Sequence, residues 1–248
     1  MNKNSSPLKS IILCAVMFIV LTACGKSAPK PRVLVFCKTA GFYHESIPDG
    51  IAAISRLGSK NNFEVDTTTD STFFTSANLK KYAAVIFLST TGNVLSSDGE
   101  KAFEQYIRSG GGYVGVHSAT DTEYDWPWYG KLAGAYFLNH PEQQEAVLKK
   151  TSVKHISTDH LPDEWKRKDE WYNFKNLNNE VTVLLTIDEK SYKGGKNGDF
   201  HPVSWFHQFE GGRAFYTALG HTKESYSEEN FLKHLLGGIL YAIGNTHL

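Results

Sequence analysis

Three short and strongly apolar segments in the first half of the chain constrain its fold more than any other feature. They occupy residues 33–37, 83–88 and 113–117. Uninterrupted apolar runs of this length are typical of strands that are buried on both faces of a parallel sheet. Segments with helical periodicity lie between them. The sequence therefore predicts an α/β fold in which strands and helices alternate.

The connecting segments complete this alternation. A helix is predicted over residues 48–58, a strand over 63–66 and a second helix over 96–108. Residues 110–115 match the GxGxxG pattern, but a dinucleotide-binding fingerprint follows a strand and opens a helix. Here the glycines follow a helix and open a strand. We therefore interpret them as a helix end and a close strand entry.

The second half of the chain has a different pattern of predicted elements, with more strands than helices. It is predicted to contain strands at residues 146–153 and 181–187, a hairpin at 202–209 and 213–219, and a closing helix at 228–242. The chain contains no internal repeat. We therefore expect one α/β domain over residues 32–248, with a mostly parallel sheet, helices on both faces and an elaborated second half.

The N-terminal residues have the pattern of a bacterial export signal. Lys3 and Lys9 precede an apolar run over residues 11–21. This run has the length of a signal-peptide core and is too short to span a bilayer unaided. The sequence Leu-Thr-Ala-Cys at residues 21–24 then resembles the lipobox of bacterial lipoproteins, in which cleavage occurs before the cysteine.

This resemblance predicts that residues 1–23 are a lipoprotein signal peptide and that Cys24 carries lipid. Residues 24–31 would then form a short tether. No Asp follows Cys24, which by analogy with bacterial sorting favours the outer membrane, with the domain facing the periplasm. An ordinary secretory peptide and an uncut membrane anchor are the alternatives.

The charge balance argues against nucleic acid as a partner. The chain has 26 Lys and Arg against 26 Asp and Glu, and it lacks an extended basic run. A protein that binds a duplex needs a surplus of basic side chains to displace counterions. Only Cys24 and Cys37 would remain after cleavage, so no internal disulfide is expected. Cys37 is expected to be buried and inert.

Three histidines stand where predicted strands end. His44 lies in the loop after the first strand, His117 ends the fourth strand, and His221 follows the strand at residues 213–219. Ligands of α/β folds bind beyond the carboxyl ends of the strands. His117 also occupies a strand-to-helix turn of the nucleophile-elbow type. We therefore expect the three histidines to share one functional edge of the sheet.

Carboxylates and large aromatic residues accompany these histidines. Asp121 lies shortly after the elbow, and Glu170 belongs to an Asp-Glu-Trp-Tyr sequence. Residues 121–129 combine four large aromatics, including Trp126 and Trp128, with three carboxylates. Such a segment suits a sugar ring, which stacks on aromatic faces and gives hydroxyls to carboxylates. Alternatively, these aromatic side chains form part of the core.

Two chemistries fit the histidines. His44, His117 and His221 could bind Zn²⁺ or another divalent metal, for which imidazole nitrogen and carboxylate oxygen are suitable ligands. They could equally act as general acid and base near neutral pH without a metal. Neither an HExxH motif nor a cysteine pair with zinc-site spacing occurs in the sequence. The sequence therefore leaves both chemistries open.

Several ordered motifs carry a resemblance to a known family. They are Gly-Phe-Tyr-His-Glu-Ser-Ile-Pro at 41–48, Gly-Gly-Gly-Tyr-Val-Gly-Val-His-Ser-Ala-Thr-Asp at 110–121, Asp-Glu-Trp-Tyr at 169–172, Pro-Val-Ser-Trp at 202–205 and Gly-Arg-Ala-Phe-Tyr-Thr-Ala-Leu-Gly-His at 212–221. With these motifs the chain resembles the ThuA-like (trehalose utilisation) family from residue 32 to residue 244. The resemblance implies a flavodoxin-like, class I glutamine amidotransferase-like fold. It also implies a role in carbohydrate metabolism, since relatives are linked to trehalose, to related disaccharides and to pathways that oxidise the sugar at C3.

The residues and the resemblance together predict a carbohydrate-processing enzyme of the hydrolase or lyase type that acts on a glucoside, a disaccharide or its 3-keto derivative. A glutaminase is not expected, because His117 stands where amidotransferases have their catalytic cysteine. The predicted catalytic residues are His44, His117, His221, Glu170 and Asp121, the three histidines being the candidate metal ligands. The predicted substrate-binding residues are Tyr43, Ser46, Ser118, Trp126, Trp128, His140 and Trp171. A non-catalytic periplasmic sugar-binding lipoprotein and a metal-dependent hydrolase of unrelated substrates are the alternatives.

Overall fold

The computed structural model describes residues 29–244, together with Met1. The predicted signal peptide, Cys24 and most of the predicted tether lie outside the described residues. Within the described part, no helix combines the length and the apolar character needed to cross a membrane.

Eleven strands form two sheets in the described chain. They are β1 (Arg32–Phe36), β2 (Glu64–Thr68), β3 (Ala84–Leu88), β4 (Gly112–Val116), β5 (Tyr136–Asn139), β6 (Gln144–Lys150), β7 (Glu164–Asp169), β8 (Asn173–Lys175), β9 (Thr182–Ile187), β10 (Pro202–Phe209) and β11 (Gly212–Thr217). Nine of them make one sheet in the order β2-β1-β3-β4-β11-β10-β9-β6-β7, while β5 pairs with β8 separately.

The large sheet has a parallel and an antiparallel half that meet at β11. Strands β2, β1, β3, β4 and β11 are mutually parallel, whereas β11, β10, β9, β6 and β7 pair antiparallel. In register, Val116 stands beside both Leu88 and Thr217. The carboxyl ends of β3, β4 and β11 therefore meet at one edge. The predicted α/β fold with an elaborated second half is confirmed, and the elaboration continues the same sheet.

Five helices surround the sheet in the described residues. They are α1 (Ile47–Lys60), α2 (Ser76–Leu79), α3 (Ser97–Arg108), α4 (Pro127–Ala133) and α5 (Glu229–Ile243). Helix α5 packs against β3, β4 and β11 and also contacts α1, while α2 contacts α3. The hydroxyl of Ser96 caps α3 by accepting the backbone N–H of Gly99 at 3.3 Å, which satisfies one of the free donors of the first turn.

The glycines at 110–112 end α3 and allow a close approach at the start of β4, as the sequence predicts. Gly110 follows α3 with a φ of +93°, a conformation that favours glycine. A Cβ placed on Gly112 would lie 2.2 Å from the carbonyl oxygen of Ala242 in α5. The absence of a side chain therefore lets α5 approach the start of β4 closely. Strands β3 and β4, against which α5 packs, are buried along their whole length.

Candidate active site

Four metal-ligand side chains converge from four different strand ends. His44 lies in the loop after β1, His117 immediately after β4, Glu170 immediately after β7 and His221 in the loop after β11. One nitrogen or oxygen atom of each residue lies within 4.8 Å of the corresponding atoms of the other three. Glu170 comes from the far edge of the antiparallel half, so the cluster joins both halves of the sheet.

His117 is held at the centre of this cluster by a strained turn. Its φ is +52°, a region that costs a residue other than glycine about 1–3 kcal/mol. The side chain is completely buried, and its Nδ1 lies 2.8 Å from the carbonyl oxygen of Ala218. Because a carbonyl oxygen only accepts, Nδ1 carries the proton and donates it. The lone pair of Nε2 consequently points toward the cluster, where His221 Nδ1 lies 3.1 Å away.

Glu170 connects the histidines through both of its carboxylate oxygens. Its Oε2 lies 3.1 Å from His221 Nδ1 and 3.4 Å from His117 Nε2. Its Oε1 lies 3.3 Å from Nδ1 of His140. The ring of His44 packs edge-on against both His117 and His221, with centroids 4.8 and 5.2 Å apart.

The ionisation states of His44 and Glu170 suit a metal centre. Burial, reinforced by the neighbouring imidazoles of His117 and His221, lowers the pKa of His44 to about 2. Burial alone would raise the pKa of Glu170, but its hydrogen bonds to His117 and His221 outweigh that effect and hold its pKa well below the usual range. At neutral pH the cluster thus offers a neutral imidazole and an ionised carboxylate. Zn²⁺ and related divalent ions bind through such groups.

Two further residues fix the orientation of the cluster. The fully buried Asp169 accepts the backbone N–H groups of Glu170, Gly220 and His221 at 2.9, 3.0 and 3.2 Å. The side-chain amide of Gln143 lies 2.8 Å from Nε2 of His221. This contact fixes the orientation of the His221 ring.

A cavity of about 260 Å³ opens onto the cluster. It is lined by Phe42, His44, Asp121, Phe137, His140, Glu170, Tyr172 and His221. The hydroxyl of Tyr124 donates to Oδ1 of Asp121 at 2.6 Å. Burial raises the pKa of Asp121 above its ordinary value.

The structure brings the five predicted catalytic residues together. His44, His117, His221 and Glu170 form the cluster, and Asp121 lines the same cavity. Among the predicted substrate-binding residues, His140 also lines it. Ser118 is buried behind the cavity, with its hydroxyl 3.4 Å from Nδ1 of His44.

Three other predicted contact residues lie outside the lining of the cavity. The hydroxyl of Ser46 is buried and donates to the carbonyl oxygen of Gly220 at 3.2 Å, so Ser46 supports the loop that carries His221. Trp171 is completely buried, and its Nε1–H donates to Gln144. Tyr43 is half exposed on the loop after β1.

Trp126 and Trp128, the predicted stacking surfaces for the substrate, lie away from the lining of this cavity. Their rings stack on each other with centroids 5.1 Å apart, and neither residue lines the cavity at the histidine cluster. The Nε1–H group of Trp126 donates to Glu104, and that of Trp128 donates to Glu210. Both carboxylates come from outside the 121–129 segment, and the ring of Trp126 also stacks on Tyr129 of α4, with centroids 5.8 Å apart.

Sequence reasoning missed several residues of the site. Phe42 and Phe137 line the cavity, and the ring of Tyr172 packs on His117 at 4.4 Å. Phe42 has a local signal, because it stands two residues before His44 in the loop after β1. Phe137 lies in β5, whose pairing with β8 is non-local. Asp169 belongs to the Asp-Glu-Trp-Tyr motif, but its contacts are non-local.

Comparisons with known proteins identify relatives of this fold. The sequence model of the ThuA family, described as trehalose utilisation, matches residues 32–242. A solved structure of a protein described as ThuA-like, from Bacteroides uniformis, has a TM-score of 0.73 at 24% identity and covers 89% of this chain and 94% of that chain. A second, from Parabacteroides merdae, has a TM-score of 0.74 at 20% identity, with 89% and 92% covered. No curated protein matches the chain.

A more distant neighbour connects the fold to the amidotransferases. A protein from Thermoplasma acidophilum described as a GMP synthase subunit has a TM-score of 0.52 at 11% identity, with 87% of this chain and 96% of that chain covered. Likeness at this level concerns the fold alone.

Proposed function

Because the chain belongs to the ThuA (trehalose utilisation) family, we propose that it is an enzyme that processes a glucoside, a disaccharide or its 3-keto derivative. Membership of the family gives the carbohydrate-related role. The observation that supports an enzyme is the convergence of His44, His117, Glu170 and His221 at one cavity. A cluster of buried imidazoles around an ionised carboxylate, open to a cavity, is costly to build and is typical of functional sites.

A divalent metal ion fits this set of donors. His117 would bind through Nε2, because its Nδ1–H is engaged with the carbonyl oxygen of Ala218. His44, His221 and Glu170 would complete the set. When bound, such an ion would polarise a substrate oxygen or lower the pKa of a water molecule.

The residues of the chain itself would bind and orient the sugar. Asp121 has one carboxylate oxygen engaged by Tyr124 and can accept a sugar hydroxyl through the other. His140 is part-exposed, with its Nδ1 directed at Glu170, and it can move a proton at the mouth of the cavity. The burial of His117 and Glu170 keeps bulk water away from the floor of the site.

A 3-keto sugar suits this arrangement chemically. The ketone at C3 makes the hydrogen on C2 acidic, so that a base can remove that proton. The electron pair of the C2–H bond then forms a C1=C2 double bond, the bond from C1 to the glycosidic oxygen breaks, and the departing oxygen takes up a proton. The reaction needs one base and one acid near the sugar, and Asp121 and His140 are candidates in the lining that lie outside the proposed metal ligands.

A product assay tests the proposal. Purified protein is incubated with α- and β-linked glucosides and their 3-keto forms, with a chelator and with added Zn²⁺, Mn²⁺ or Mg²⁺. We expect turnover that the chelator abolishes and one divalent ion restores. Turnover that resists the chelator would instead support metal-free acid and base catalysis. Saturable sugar binding with no product after hours would contradict an enzymatic function and support a non-catalytic sugar-binding protein.

We also propose that the domain is held at the bacterial outer membrane and faces the periplasm. The support is the signal-like pattern at residues 1–23 and the lipobox-like sequence that ends at Cys24. A short tether over residues 24–31 would then keep the cavity near the membrane surface. The partners under this proposal are a small carbohydrate and the membrane itself.

A further inference from the structure

Two phenylalanine side chains, Phe42 and Phe137, line the cavity. Phe42 is 65% exposed although its ring packs edge-on against His44, with centroids 4.8 Å apart. Phe137 packs on Tyr172, which in turn packs on His117, with centroid distances of 4.2 and 4.4 Å. A continuous series of ring contacts therefore runs from Phe42 through His44, His117 and Tyr172 to Phe137.

The loop that carries Phe42 is fixed by hydrogen bonds. The hydroxyl of Thr91 donates to the carbonyl oxygen of Phe42 at 2.9 Å and accepts the backbone N–H of Gly41 at 3.2 Å. An exposed phenylalanine on an anchored loop loses contact with water only when something covers it. Because Phe42 also lines the cavity, its exposed aromatic face is available to a ligand with an apolar face.

The size of the cavity limits that ligand. Its volume of about 260 Å³ lies just below the range of about 300–1,000 Å³ that is usual for pockets of drug-sized ligands. A space of this size suits one pyranose ring, and because the cavity is open on one side, a linked group has room to extend outward. The polar groups in the lining, Asp121 and His140, can accept or donate hydrogen bonds to hydroxyls at the ring edge, while the C–H face of the ring covers an aromatic wall.

We propose that the cavity binds a single terminal sugar ring between Phe42 and Phe137, and that any group linked to that ring extends outside it. This inference rests on the proposed function and specifies its substrate class. The enzyme would act on the end residue of a glycoside and would tolerate many linked groups. It would exclude internal residues of a polysaccharide, because those carry substituents on both sides.

Equilibrium binding measures this directly and does not need turnover. The probes are methyl α- and β-glucoside, the corresponding di- and trisaccharides, and the 3-keto form of each, titrated calorimetrically into the intact metal-supplemented protein. We expect the second and third rings to change the Kd by less than about threefold, because they lie outside the cavity. Phe42→Ala and Phe137→Ala should weaken every probe by a similar factor, about threefold to tenfold for the loss of one aromatic contact.

Phe200 provides the matched control. It is 59% exposed, nearly as much as Phe42, but does not line this cavity, so Phe200→Ala should leave every Kd unchanged. Phe42→Leu keeps an apolar side chain without an aromatic face and should fall between the wild type and Phe42→Ala. Thermal melting of each variant confirms that it is folded.

The possible failures are distinguishable. An affinity that rises tenfold or more with each added ring would overturn the single-ring cavity and leave the proposed function standing. Loss of affinity in Phe42→Ala for the longer probes only would do the same. If no glucoside or 3-keto glucoside of any length binds, both this inference and the proposed function fail.

Discussion

Oδ1 of Asp169 accepts the backbone N–H of His221 at 3.2 Å and that of Glu170 at 2.9 Å. Its other oxygen, Oδ2, accepts the backbone N–H of Gly220 and a guanidinium N–H of Arg167, both at 3.0 Å. One buried carboxylate therefore ties the end of β7 to the loop after β11. These are the two segments that deliver Glu170 and His221 to the cluster.

Replacing Asp169 by Asn should loosen the proposed metal centre without removing a ligand. The amide has one acceptor oxygen where the carboxylate has two, and Arg167 loses its buried counter-ion. We expect a metal affinity that is about 10–100-fold lower and a free energy of unfolding that falls by about 1–3 kcal/mol. Metal titration followed by the absorption of bound Co²⁺ measures the first, and urea unfolding the second. Asp163→Asn, at a side chain that is 97% exposed, is the control and should change neither.

His117 allows the strain of its turn to be separated from its chemistry. His117→Ala should abolish turnover and reduce the free energy of unfolding by about 2–4 kcal/mol, because a completely buried side chain is truncated. His117→Gly should also abolish turnover. It should nevertheless be more stable than His117→Ala by about 1 kcal/mol, since glycine adopts a φ of +52° without the cost of a Cβ. Retained turnover in either variant would show that His117 is not needed for catalysis.

The parallel half of the fold could be predicted because its signals are local. The buried runs of β1, β3 and β4 are uninterrupted, and α3 begins and ends within one residue of its predicted bounds. Strand β7 was missed because its sequence, Glu-Trp-Lys-Arg-Lys-Asp, reads as a solvated charged segment. In the fold Arg167 and Asp169 neutralise each other inside the protein. That pairing depends on tertiary contacts, so local patterning does not encode it.

The site was predictable to a similar extent and for the same reason. His44, His117 and His221 each follow a recognisable strand, and parallel strands place their ends together. The 121–129 segment left two interpretations open, because aromatic residues among acids occur both in sugar sites and in packed cores. Asp121 lines the cavity, whereas Trp126 and Trp128 satisfy their N–H groups with Glu104 and Glu210. Those two carboxylates are remote in sequence.

A buried histidine remote from the site should make stability depend on pH. His234 is completely buried, with Nδ1 2.9 Å from the carbonyl oxygen of Ser157, and burial lowers its pKa to about 3. The unfolded chain takes up a proton near pH 6.5, so stability is full above that pH and is lost as the pH falls from 6.5 toward 3. We expect about 2 kcal/mol less stability from this residue at pH 5 than at pH 7.5. Urea unfolding at both pH values, compared between wild type and His234→Gln, isolates the contribution; an equal loss in both proteins would contradict it.

Cys24→Ser tests the proposed membrane anchor in cells. The serine hydroxyl cannot form the thioether of a lipoprotein, so we expect the protein to leave the membrane fraction and to become recoverable in the soluble periplasmic extract. Cys37→Ser is the matched control, because Cys37 is buried in the domain and its replacement should leave the distribution unchanged. Membrane association that survives Cys24→Ser would indicate an uncut N-terminal anchor instead.

A substitution at Trp128 distinguishes a packing role of the 121–129 segment from a sugar-binding role. Its Nε1–H donates to Glu210 at 2.8 Å, and its ring packs against Trp126, Phe103 and Phe209. Trp128→Phe removes the hydrogen bond and part of the ring contact, so the free energy of unfolding should fall by about 1–2 kcal/mol. The Kd for methyl glucoside should stay within twofold of the wild type, because the residue does not line the cavity. Calorimetric titration of Trp128→Phe and Phe42→Ala side by side gives the comparison. A larger loss of affinity in Trp128→Phe would indicate that the sugar binds at the 121–129 segment.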